Sequence, residues 1–128
     1  MMYIFHTHAG SASAGTTSTI PVPCKGRVVA ARACSPVEIA NGGAETIDIQ
    51  RGTTSVNLIT TAATYVVKTN VAGVSDVTNG KLEFDPASAT AANQVITVAV
   101  SQLAAAGEIG ICITFDETSN PYADMVGS

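Results

Sequence analysis

The run Glu108-Ile109-Gly110-Ile111-Cys112-Ile113-Thr114-Phe115-Asp116 decides the fold class. Successive side chains of a strand point to opposite faces, so Ile109, Ile111, Ile113 and Phe115 share one face. Glu108, Gly110, Thr114 and Asp116 share the other. One apolar and one polar face is the pattern of a half-buried antiparallel strand. The same alternation runs through Thr46-Ile47-Asp48-Ile49-Gln50 and Lys81-Leu82-Glu83-Phe84-Asp85. Val95 to Val100 is apolar on both faces apart from Thr97, which predicts a strand at the centre of a sandwich. Val28 to Cys34 reads as a further strand with Arg32 as its polar exception, and Val56-Asn57-Leu58 and Tyr65-Val66-Val67-Lys68 are weaker ones.

Turn signals separate these runs at Asn41-Gly42-Gly43, Arg51-Gly52, Asn79-Gly80 and Ala106-Gly107. Asp85-Pro86 followed by residues 87–92 predicts one short helical turn, with Asp85 as its cap and Pro86 at its first position. Residues 101–106 could form another. Nothing has the period of an amphipathic helix. Roughly seven or eight short strands with regular turns predict an all-β, single-domain antiparallel β-sandwich, jelly-roll-like. An immunoglobulin-like sandwich is the rival, but the chain has no Trp and no evident Cys pair to fill its core.

The 128 residues suit one domain, read as an N-terminal arm over 1–19, the sandwich over 20–117 and a C-terminal tail over 118–128. The first segment contains the low-complexity stretch Ala9-Gly10-Ser11-Ala12-Ser13-Ala14-Gly15-Thr16-Thr17-Ser18-Thr19, which reads as linker and predicts an extended arm docking on neighbouring chains. Charged residues are 12% of the chain, about half the ordinary share of roughly 25%. A monomer relies on surface charge to stay apart from its copies, so so little of it predicts a surface covered by other subunits.

The net charge of −4 and six scattered cations argue against direct nucleic-acid binding, which needs a basic cluster to neutralise phosphates. No apolar run approaches the roughly 18 residues of a membrane helix, so no membrane partner is expected. The short apolar start Met1-Met2-Tyr3-Ile4-Phe5 lacks a basic flank and is broken by His6 and His8, so no signal peptide is read. Cys24, Cys34 and Cys112 are odd in number and form no CxxC, which predicts three buried reduced thiols in a reducing compartment.

No GxSxG, P-loop, GxGxxG or HExxH pattern occurs, and Asp116 and Glu117 point to opposite faces of a strand. The chain is read as a non-enzyme without cofactor or metal. His6 and His8 share a strand face and could meet a metal or symmetry copies. Two imidazoles fall short of a usual ligand set, so they are read as interface or solvent-facing residues. Clustering across an interface would make assembly weaken below about pH 6. Arg32 and Arg51 are read as interface cations that could pair with carboxylates, or as edge-strand solubilisers. The candidate interface set is Tyr3, Phe5, His6, His8, Arg32, Arg51, Tyr122 and Met125, with the loop over 69–79 a further contact region.

The segment from Thr19 to Glu117 resembles the capsid decoration, or cement, proteins of tailed bacteriophages. The opening Ile20-Pro21-Val22-Pro23-Cys24-Lys25-Gly26-Arg27-Val28-Val29 carries the likeness, with Ile47-Asp48-Ile49-Gln50-Arg51-Gly52-Thr53-Thr54-Ser55-Val56 in the middle. Asp85-Pro86-Ala87-Ser88-Ala89-Thr90-Ala91-Ala92-Asn93-Gln94-Val95-Ile96 and the closing Ala106-Gly107-Glu108-Ile109-Gly110-Ile111 continue it. The resemblance implies a β-rich virion protein, assembled in the host cytoplasm, that sits as a homotrimer on the major capsid protein and braces the shell. It carries no site residue. The alternative reading is a head-fibre or tail module that binds a host-surface glycan.

Overall fold

The computed structural model describes residues 1–9, 15–35, 39–40, 45–61, 64–65, 70–101 and 108–118. Its strands are β1 (Met2–Ala9), β2 (Thr16–Pro21), β3 (Gly26–Cys34), β4 (Ile39–Ala40), β5 (Thr46–Arg51), β6 (Thr54–Thr60), β7 (Thr64–Tyr65), β8 (Val71–Ala72), β9 (Val74–Ser75), β10 (Val95–Val100) and β11 (Glu108–Glu117). A single 3-10 turn, Ala91–Gln94, is the helical element among the described residues. A four-stranded sheet in the order β1-β11-β3-β8 packs on a five-stranded sheet in the order β2-β10-β5-β6-β9, and β4 pairs with β7. Every pairing is antiparallel. The all-β antiparallel sandwich expected from the alternation is the architecture of the chain.

The core lies between the two sheets. Ile109, Ile111, Ile113 and Phe115 of β11 face Ile96, Val98 and Val100 of β10 and Ile47 and Ile49 of β5, all at most 2% exposed. Each such side chain contributes about 1.5–3 kcal/mol by leaving water. Two bulges keep the inward set in phase. In β3, Ala30 opposes Thr114 and Val28 opposes Phe115, so Val29 is the extra residue. That is why Val28 and Ala31, three apart, are both buried while Val29 and Ala30 are both exposed. In β6 the register shifts likewise, letting Val56 and Ile59 both face the core.

Two glycines are demanded by geometry. Gly52 has φ of 66°, the left-handed conformation that closes the β5–β6 turn. Gly26 exchanges two backbone hydrogen bonds with Phe84, and a Cβ there would strike the Phe115 ring and the Asp116 carbonyl. Phe84 and Phe115 meet beside it with ring centroids 6.4 Å apart.

Several sequence expectations change. Residues 2–9 and 16–19 do not form a detached arm. β1 pairs with β11 along its whole length, and β2 pairs with β10, so each is an edge strand of one sheet. The inward positions of β1 are Met2, Ile4, His6 and His8, a polar-ended alternation that does not read as a core face. Lys81 to Asp85 is not a strand but a single bridge, Gly26 with Phe84. The preceding residues are used in turns: Asp76 accepts from the backbone N–H groups of Thr78 and Asn79, and Leu82 N–H donates to the Asn79 carbonyl. Val95 to Val100 is central in its sheet but buries one face, with Val95, Thr97 and Ala99 only half-buried.

The helical turn falls at residues 91–94 rather than 87–92. Asp85 instead holds a tight turn, accepting Ala87 N–H at 2.9 Å. All three cysteines are free, but only Cys24 is buried; Cys34 and Cys112 are half-buried. The turns at 41–43 and 106–107, most of the strand predicted over 65–68 and all but the first residue of the helical stretch over 101–106 lie outside the described residues.

Candidate interaction surface

The pairing of β1 with β11 and of β11 with β3 builds a continuous outer face. Phe5 opposes Cys112, Cys112 opposes Arg32, and Arg32 opposes Ala72, forming one row across all four strands. The neighbouring rows are Tyr3-Thr114-Ala30 and Thr7-Gly110-Cys34. Tyr3 is 63% exposed and Phe5 79%, and Val29 and Ala30 are exposed beside them. Large aromatics standing off a sheet face are the groups that anchor interfaces. A hollow of about 360 Å³ opens over the middle row, lined by residues that include Phe5, Arg32, Cys34, Asn70 and Cys112.

Edge strands are normally shielded by charge, proline or bulges. β2 ends in Pro21, and β8 and β9 are two residues each. β1 is eight residues long, has no Lys or Pro, and carries the two exposed aromatics found among the described residues. The sequence reading placed Tyr3, Phe5 and Arg32 in one interface set, and the sheet brings these three to one face.

The histidines do something else. His6 and His8 point inward, into the seam where β1 of one sheet meets β2 of the other. His6 Nε2 and His8 Nδ1 each lie 2.8 Å from the Ser18 hydroxyl oxygen, and His8 Nε2 lies 2.7 Å from that of Thr16. Thr16 donates its hydroxyl proton to the Ala9 carbonyl. His8 Nε2–H then donates to Thr16, Ser18 donates to His8 Nδ1, and His6 Nε2–H donates to Ser18. The chain of bonds is complete with both rings neutral. Burial lowers the pKa of each ring, and for His8 the neighbouring His6 lowers it further. His8 is 2% exposed, so it is not a surface contact as expected but a polar clasp within the chain. No group of three metal-ligating side chains occurs among the described residues.

No family model, characterised protein or solved structure matches the chain.

Arg51 is half-buried and makes a contact within the chain. Its Nη1 donates to the Glu83 carbonyl at 2.9 Å, tying the β5–β6 turn to the segment that carries Phe84. Tyr122 and Met125 lie outside the described residues. Within the expected contact loop over 69–79, Val74 is 74% and Val77 97% exposed. Sequence reasoning did not single out these two valines, since an isolated Val in a turn-rich stretch carries no periodic signal. No helix among the described residues is long and apolar enough to cross a membrane.

Proposed function

We propose that this chain is a structural, non-enzymatic virion protein that binds the outer face of an icosahedral capsid as a symmetric oligomer, a trimer, and stabilises the shell. The observation that carries the reading is the outer face of the four-stranded sheet, with Tyr3 and Phe5 exposed on an unshielded edge strand. Such a face is suited to repeated protein contacts. The strand order supports a jelly roll within the sandwich. β1 pairs with β11, β2 with β10, β3 with β8 and β5 with β6, a nested winding of the kind found in capsid and lectin jelly rolls. A shell brace acts by mass action, adding RT ln(1 + [L]/Kd) to the lattice at each occupied site, and needs no catalytic group.

Copy number tests this reading. The chain is counted against the major shell protein in purified particles by quantitative mass spectrometry. Hundreds of copies per particle support a lattice-wide brace, and absence from particles overturns it. A dozen copies or fewer favour the second reading, a fibre or tail module for a host glycan. That alternative draws on the hollow where exposed Phe5 adjoins Arg32 and Asn70, since an aromatic face beside hydrogen-bond donors suits a sugar. Glycan-array binding would then be expected.

A further inference from the structure

The charges on the outer face of the four-stranded sheet are only partly paired. Arg27 and Asp116 meet each other at 3.9 Å across β3 and β11. Arg32 and Glu108, on the same face and both exposed, have no ion pair or hydrogen bond among the described residues. The other described carboxylates all have partners. Glu45 accepts from Ser101, Asp48 from Ser55 and Gln50, Asp76 and Asp85 from backbone N–H groups, Glu83 from Lys25 and Thr118, and Glu117 from the terminal ammonium. Glu108 alone is left over.

Arg32 and Glu108 are held too far apart to satisfy each other. Arg32 stands opposite Cys112, and Glu108 lies four residues further along β11. At about 3.3 Å per residue that is roughly 13 Å, beyond the reach of a single ion pair. Between them lie Cys34, Gly110 and Cys112, small side chains that let another surface approach closely.

We propose that the outer face of β1, β11 and β3 docks on a second copy of this chain, with Arg32 of each copy paired to Glu108 of the next. The inference rests on the self-association in the proposed function and names its contact. One cation and one carboxylate, separated on one face, make that face complementary to itself, as a symmetric interface requires. Phe5 and Tyr3 flank the charge row and supply the apolar contact. In the trimer the pairing passes head to tail around the ring.

The test uses sedimentation velocity and thiol labelling on the full chain. Arg32→Glu and Glu108→Arg are each expected to raise the dissociation constant by about tenfold or more, and the double reversal to restore it to near the parent value. Both sites are exposed, and retention of the β-sheet circular dichroism spectrum confirms folding. The parent protein gives an independent readout. Cys34 and Cys112 should react with iodoacetamide more slowly as concentration rises through the assembly transition. Cys24, buried and with its thiol pKa pushed up by that burial and by Glu117, should stay unreactive throughout. An oligomer indifferent to both single reversals overturns this contact while leaving the assembly reading intact. A parent chain that stays monomeric, with Cys112 labelled equally at all concentrations, overturns the contact; copy number in particles then decides the proposed function separately.

Discussion

His6 and His8 sit edge to face with ring centroids 6.0 Å apart, inside the seam between β1 and β2. Both pKa values are lowered by burial, so the unfolded chain takes up protons first as pH falls. Stability is therefore fully present above the unfolded value of about 6.5 and declines as pH drops through it toward the folded values. The thermal midpoint is expected to fall between pH 7.5 and pH 5 from this source. The His6→Gln, His8→Gln double variant should flatten that part of the profile. An unchanged slope in the variant would place the acid sensitivity elsewhere. The earlier expectation of acid-weakened assembly thus becomes acid-weakened attachment of β1.

Phe115 fills the space over Gly26 and against Phe84. Phe115→Ala should lower the unfolding free energy by about 3–5 kcal/mol, measured by urea titration. Gly26→Ala should cost about 1–3 kcal/mol through the opposite fault, overpacking against the same ring. If Gly26→Ala were neutral, the close approach of β3 to Phe115 would not hold in solution.

Arg51 ties the β5–β6 turn to residue 83 by one charged hydrogen bond to a carbonyl. Arg51→Ala should destabilise by about 1 kcal/mol, since exposure lets water replace the lost donor. Hydrogen exchange should quicken at Phe84 N–H, which bonds Gly26, more than in β10. Uniform change across both would refute a local tie.

Phe5 and Tyr3 stand off the sheet and bury little within the chain. Phe5→Ser and Tyr3→Ser should leave the unfolding free energy from urea titration within about 0.5 kcal/mol of the parent. They should nonetheless weaken self-association in sedimentation velocity. An unchanged dissociation constant in the double variant would remove these aromatics from the contact.

The strands that sequence made legible are those whose inward residues are all apolar: β3, β5, β10 and β11. β1 was missed because its inward face ends in His6 and His8 while its largest apolar groups, Tyr3 and Phe5, point out. The facing hydroxyls of Ser18 and Thr16 satisfy those two rings, and pattern alone does not pair them. Lys81 to Asp85 alternates as well as β5 does, but only Phe84 has a backbone partner opposite it. β8 and β9 are too short for any period. At the surface, Tyr3, Phe5 and Arg32 stand among the candidate interface residues, but nothing in the sequence places them on one face. The solitude of Glu108 was not legible either, because it depends on where every other carboxylate finds a partner.

The register of β1 on β11 joins Met2 to Phe115 and Ala9 to Glu108. A ribosome must therefore deliver about a hundred residues before β1 can find its neighbour. Until then Tyr3 and Phe5 trail on an open strand among crowded, identical nascent chains. Such long-range closure is slow, in the range of milliseconds to seconds for all-β domains. The yield of native protein in cells should hence be governed by how fast β11 is captured, and synthesis at lower temperature or lower rate should favour soluble product.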